Sequence, residues 1–309
     1  MASIGKDFIS ATRYVGRLCG GSQPILVQES DGHYYVIKFA NNLQGANLPF
    51  NESAGTLLYR AFGLPCPSWK SLVIADSFLD RNPQCWIHDV QGSLRPTSGL
   101  CFGSLFVGNL GARPLEILSG ASFSRIRNPK LFWLAWMVDI CARHADNRQA
   151  LFLEDATGRL TTVFVDHGHL FGGPNGEKQS HFSAPCYLDR RIYECVSSSS
   201  LEGLPGMMAR IDLKQLALSL QTVPEEWKTS EALRGFAECL SRLSDLDFLR
   251  ATLSEIVNFQ RQREKCDQLD HNLSAKLPLP VQYSGPPQPQ RRPQLASATA
   301  GFPVCAVQP

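Results

Sequence analysis

Apolar and polar positions alternate with a short period early in the chain and a long one later. Residues 24–29 and 33–40 are β-prone runs joined by Ser30-Asp31-Gly32, and Asp-Gly between two such runs is a strong hairpin signal. The period then changes. Ala54, Leu57, Leu58, Ala61 and Phe62 follow the i, i+3, i+4, i+7, i+8 rule and predict one amphipathic helix over 51–62, with Asn51 as N-cap and Gly63 as its stop. Runs at 71–75 and 85–90 read as further strands of the small sheet on which that helix packs. After Leu110 the pattern is mainly helical. Asn128-Pro129 opens a helix that is apolar nearly all round through Ile140, as a central core element must be. Two short β-like runs, 150–153 and 160–165, flank a turn at 155–159, and helices are expected at 212–220, 230–243 and 245 to about 263. The expected fold class is α+β, with a β-rich lobe over 1–106 and a helical lobe over 107–275.

Residues 276–309 turn to Pro, Gln, Ser and Ala, a composition that sustains neither helix nor sheet ladders. A disordered tail is expected there, with a Pro-rich stretch able to dock a partner. Thirty Lys and Arg against 28 Asp and Glu leave a net charge of +2, without the basic excess that favours binding a nucleic-acid backbone. No run approaches the ~20 apolar residues of a membrane span, and the start lacks the apolar stretch of a signal peptide, so a cytoplasmic protein is expected. Ten cysteines occur without a CxxC pair, which excludes a zinc ribbon or redox dithiol and leaves free, mostly buried thiols as the expectation.

Four features carry candidate chemistry. Tyr34, Val36 and Lys38 share one face of their strand, so Lys38 projects from an otherwise apolar face. Glu52 falls in the expected first turn of the next helix, where the macrodipole favours a carboxylate and where it can also hold Lys38. Gly20, Gly21 and Ser22 precede the first clear strand, and adjacent glycines let backbone N–H groups approach phosphate oxygens. No Walker-type GxxxxGK[ST] and no GxGxxG is present. If 150–153 and 160–165 pair as a hairpin, with strand axes ~4.8 Å apart, Asp146 and Asp166 arrive at the same end. With Asn147 and Gln149 beside them they make an oxygen-rich site suited to Mg²⁺. Singly, each residue has a plain structural reading: a snorkelling lysine, a dipole-stabilised glutamate, turn aspartates. Their order along the chain favours a shared site. A second metal set, His144, Asp146, Asp166, His167 and His169, suits a metal-dependent phosphohydrolase but leaves Lys38 and Glu52 without a role.

Gly20-Gly-Ser-Gln-Pro24, Asp31-Gly-His-Tyr-Tyr-Val-Ile-Lys38, Asn51-Glu52 with 62–67, 146–152 and 164–171 together resemble the HipA-like kinase family and, more distantly, the phosphatidylinositol 3- and 4-kinases. The resemblance spans about residues 16–171. It implies a bilobal protein-kinase-like fold that uses ATP and Mg²⁺ to phosphorylate a hydroxyl acceptor, protein Ser or Thr foremost. In that scheme Lys38 contacts the ATP phosphates, Glu52 orients it, Asp146 is the catalytic base, and Asp166 holds the metal. Gly20, Gly21 and Ser22 lie near the phosphates, and a segment near 100–106 supplies the adenine-side hinge. Where many relatives have an asparagine as second metal ligand, this chain has Leu151, so Gln149 or Asn147 is the substitute. That departure keeps a catalytically weak scaffold open as an alternative.

Overall fold

The computed structural model describes residues 10–90, 92–108, 114–175 and 186–276, so the tail from residue 277 onward lies outside the described residues. The first part builds one antiparallel sheet from β1 (Ala11–Arg17), β2 (Ile25–Glu29), β3 (Tyr34–Lys38), β4 (Trp69–Ile74) and a late strand, Gly99–Leu105. That late strand lies between β3 and β4. The 85–90 run does not join this sheet. Its strand is shorter, β5 (Ile87–Asp89), and pairs with β6 (Gly92–Leu94) as a separate hairpin, which makes the late strand β7. Two glycines hid β7 from a reading based on β-prone runs. One of them is needed because a Cβ at Gly103 would run into the Leu72 side chain on the next strand.

The helix after β3, α1 (Leu48–Ala61), starts one turn before its expected N-cap. Pro49 occupies the first helical turn, where a preset φ and a missing N–H cost nothing, so Asn47 is the cap and Asn51 lies inside the helix. Glu52 therefore belongs to the second turn, and the first-turn dipole reading does not apply to it. The stop is as expected. Gly63 takes φ +68°, and the N–H groups of Gly63 and Leu64 return to the carbonyls of Arg60 and Tyr59.

The sheet has two apolar faces with different partners. Tyr35, Ile37 and Phe39 point into a cluster with Leu72, Ile74, Cys101 and the short α2 (Asp76–Arg81), which supplies Phe78 and Leu79. The opposite face, carrying Phe102 and Trp69, belongs to the main core with α1. That core continues into the second part: α3 (Lys130–Cys141), the hairpin β8 (Gln149–Glu154) and β9 (Leu160–Val165), α4 (Arg191–Glu194), α5 (Leu204–Met208), α6 (Leu213–Ser219), α7 (Ser230–Ser244) and α8 (Leu246–Lys276). Phe50, Leu58 and Tyr59 of α1 share one cluster with Phe132, Phe164 and Phe236, while Trp69 of β4 meets Trp227 with ring centroids 6.4 Å apart. The α+β layout, sheet first and helices after, is the expected one. Packing, however, assigns α1 to the core of the helical part.

Among the described residues Cys66, Cys85, Cys101, Cys141, Cys186, Cys195 and Cys239 are free thiols. Cys19 departs from the expectation and is in a disulfide. No helix among the described residues is long and apolar enough to cross a membrane.

Candidate active site

Lys38 ends β3 on the face turned to α1, opposite Tyr35 and Ile37, and is 7% exposed. Such burial of an ammonium requires partners. Its Nζ forms an ion pair with Glu52 Oε1 and another, at 2.9 Å, with Asp166 Oδ1. Residues 38, 52 and 166 thus meet in three dimensions, and the contacts that hold α1 explain why. Glu52 Oε2 accepts the His167 N–H at 3.1 Å, and Asn51 Nδ2 donates to the Gly168 carbonyl at 2.9 Å. Bare backbone makes the approach possible. A Cβ at Gly55 would lie 2.6 Å from both His167 Cβ and Leu170 Cδ1, and one at Gly168 would crowd Leu48 and Glu52.

The second carboxylate comes from the hairpin. β8 and β9 pair from Gln149 opposite Val165 to Glu154 opposite Leu160, so the turn after β9 lies beside the start of β8. Asp166 sits there at φ +61°, a left-handed conformation that aspartate adopts more readily than most residues. Gln149 Nε2 donates to Asp166 Oδ2 at 3.0 Å, so Gln149 meets the carboxylate as a donor. Asp146 lies on the adjoining strand entry, between the Gln149–Val165 pair and a 2.8 Å bond from the Ala145 N–H to the His169 carbonyl. The Asp146 carboxylate accepts the Asn147 N–H at 2.7 Å, and among the described residues it makes no direct bond to the Lys38 cluster. Asn147 itself is exposed.

Burial alone would pull the Lys38 ammonium down, but the charges of Asp166 and Glu52 outweigh it and hold it above its ordinary range. Burial likewise pushes Asp166 up, and the Lys38 ammonium overrides that and keeps the carboxyl below the usual range. Burial and the Asp166 charge push Glu52 up, so Asp166 is the member that keeps its negative charge most firmly and also the one that reaches solvent, its side chain 24% exposed. Among the described residues no group of three or more His, Cys, Asp or Glu is placed to hold a metal ion. The carboxylate of Asp166 is a hard oxygen donor, of the kind that suits a divalent ion able to take its remaining ligands from water and phosphate. The five-residue His/Asp set is not brought together as a metal site among the described residues. His144 and His167 are buried, and burial holds both imidazoles well below their ordinary value.

Gly20, Gly21 and Ser22 form the turn between β1 and β2, closed by a Gln23 N–H to Gly20 carbonyl bond of 2.9 Å. Gly20, at φ +134°, holds a conformation other residues rarely adopt. The segment between β3 and α1 lies against this turn. Asn42 Nδ2 donates to the Ser22 carbonyl at 2.6 Å, and a Cβ at Gly21 would be 2.7 Å from Gln44 Nε2. The same segment reaches the chain beyond the Asp166 turn, where the Asn47 N–H donates to the Pro174 carbonyl at 3.1 Å. Residues 100–105 belong to β7, an inner strand between β3 and β4, with Phe106 just beyond it.

A second buried cluster went unread in the sequence. Arg148 grips Asp139 of α3 from Nε at 2.9 Å and from an η nitrogen at 2.7 Å, and the Tyr59 hydroxyl donates to the same carboxylate at 2.7 Å. Its other η nitrogen donates to the carbonyls of Val165 and Asp166, at 3.0 and 3.1 Å, and meets His167 Nδ1 at 3.3 Å. A signal existed. After Lys130 at its start, α3 is apolar all round except for Asp139, and a buried carboxylate demands a buried cation.

No protein-family model and no curated protein matches the chain. Among solved structures, a Golgi casein kinase with Mn/ADP bound is similar at 10% identity and TM-score 0.41, over 79% of this chain and 72% of that one. A second structure of a Golgi casein kinase is similar at 11% identity and TM-score 0.39, over 80% and 72%. At that level neither likeness assigns a residue or an activity.

Proposed function

We propose that this chain is a kinase of the HipA-like type, transferring the γ-phosphoryl group of ATP to a hydroxyl acceptor, a protein Ser or Thr. The observation that carries the reading is the Lys38 ammonium bridging Glu52 and Asp166. A strand lysine paired to a helix glutamate, with a metal-holding aspartate opposite, is the set protein kinases use to grip a nucleotide. Lys38 would hold the phosphates and spread charge as it develops, with Glu52 keeping the ammonium in place. The Gly20–Ser22 turn would offer backbone N–H groups to the same phosphates. Asp166 would hold Mg²⁺, with Gln149 or Asn147 completing its oxygen donors; the bound ion neutralises charge on the transferring phosphoryl group. Asp146, less tied down, would orient the acceptor hydroxyl and take its proton.

One observation favours a slower, scaffold-like relative of the same site: Leu151, half-buried in β8, stands where a second metal-ligating asparagine is expected and cannot ligate. The free thiols, with Cys195 exposed, suit a reducing, cytoplasmic setting, and the Cys19 disulfide runs the other way; a non-reducing gel of protein alkylated in the cell decides between them. The activity is tested by radiolabel transfer from Mg·ATP to a mixture of protein acceptors. Asp166→Ala is expected to abolish transfer. Asp146→Asn is expected to nearly abolish it while keeping the Mg·ATP-dependent rise in melting temperature. Full transfer by either variant refutes that residue's role.

A further inference from the structure

We infer that Arg148 is a positioning residue that fixes the Asp166 turn for binding a metal–nucleotide; this rests on the kinase reading above. Arg148 is 2% exposed and Asp139 0% exposed, so both charges have left water. Stability alone does not account for that arrangement, because replacing a buried ion pair with apolar residues of similar volume is often neutral or stabilising. What apolar residues cannot supply is direction. Nε and one η nitrogen of Arg148 are spent on Asp139, which α3 and the Tyr59 hydroxyl hold still. The other η nitrogen reaches the carbonyls on both sides of the Asp166 α-carbon, those of Val165 and Asp166. These bonds fasten the one left-handed residue of the turn, and with it the direction in which the Asp166 carboxylate leaves the backbone.

Three contacts close the frame around it. The guanidinium lies over the Tyr59 ring, 4.8 Å from its centroid, and that ring packs on His167 at 4.4 Å between centroids. The Arg148 N–H donates to the Cys186 carbonyl at 3.1 Å. Tyr59 lies on α1, so the frame ties that helix and α3 to the Asp166 turn. A lysine at position 148 would keep the charge but lose the planar fork that serves two partners at once.

The test reads metal binding directly, using Mn²⁺ as an EPR-visible probe in the presence of ADP, with ADP binding without metal as a second measurement. Two variants are compared with wild type: Arg148→Lys, and the double variant Asp139→Leu/Arg148→Met, which removes both charges together. Both are expected to melt cooperatively and to bind metal-free ADP like wild type, but to bind Mn²⁺ roughly 10- to 100-fold more weakly, the usual effect of losing a residue that orients a ligand. Unchanged Mn²⁺ affinity in a folded variant overturns the positioning role while leaving the kinase reading intact. Failure of both variants to melt cooperatively makes Arg148 a folding residue and overturns the inference too. If wild type itself binds no Mn·ADP, the kinase reading falls first and the inference with it.

Discussion

Two buried clusters of charge flank the same stretch, 165–168, and differ in exposure and in how their charges are matched. Lys38, Glu52 and Asp166 form the first, and Arg148, Asp139 and Tyr59 the second. The second is closed, with side chains 1% and 0% exposed at Arg148 and Asp139. The first opens at Asp166, whose side chain is 24% exposed. Closed charges matched one to one have their remaining donors and acceptors taken by neighbouring protein groups, and they act through the backbone they hold. An open cluster keeps one carboxylate, that of Asp166, within reach of solvent and of whatever binds there. The difference separates a frame from a site of chemistry, although both consist of a cation bonded to a carboxylate.

The contrast breaks most sharply at the two aspartates. Asp166→Ala should abolish transfer, a loss of at least about 10³-fold, comparable to removing a principal electrostatic group from an active site. It should leave the protein folded, because Lys38 retains Glu52. Asp139→Ala should do the reverse: it strands the buried Arg148 charge, and a loss of roughly 3–5 kcal/mol in urea unfolding is expected. Equal effects of the two changes on stability would erase the distinction. Gly55→Ala tests the bare-backbone approach of α1 to the turn. A methyl group 2.6 Å from His167 Cβ and Leu170 Cδ1 forces displacement, and a loss of about 1–3 kcal/mol is expected.

The smallest effect sharpens the comparison by supplying a carboxylate with no cation. Glu29, 1% exposed on β2, has no hydrogen-bond partner for either carboxylate oxygen among the described residues, and burial, with the Asp31 charge, pushes it up to about 7. Its folded-state value lies above the unfolded one. The protonated group therefore contributes stability that is fully present below about 4.5 and is lost as pH rises through about 7. Melting of wild type against Glu29→Gln across that window should show wild type losing ground as pH rises and levelling off above 7. Parallel curves would remove Glu29 as the cause. Asp166 has the opposite sign because Lys38 is beside it.

Much of the local structure was legible because local rules govern it. The Asp31-Gly32 hairpin, the Gly63 stop and the β8–β9 hairpin follow from turn chemistry and apolar period. What failed lay where distant packing overrides local signal. β7 carries two glycines, Gly103 among them because it must admit Leu72 from β4, and pairing with β3 and β4 on either side makes the segment a strand. Asn51 has the side chain of a cap, yet it bonds the Gly168 carbonyl from within the helix, since Pro49 sets the start a turn earlier.

For the candidate site, the sequence by itself determined the cast: a lysine on an alternating strand, a glutamate on the next helix, and an aspartate at the end of a hairpin, because strand alternation and hairpin register are short-range properties. It also left Asp139 as a carboxylate in an apolar helix, a question without an answer. Only the tertiary structure decided which charges share a cluster and which of them face solvent. Residues 38, 52 and 166, like 59, 139 and 148, become neighbours when α1 packs across the turn at Gly55 and Gly168, and burial then fixes how each charge must be paired.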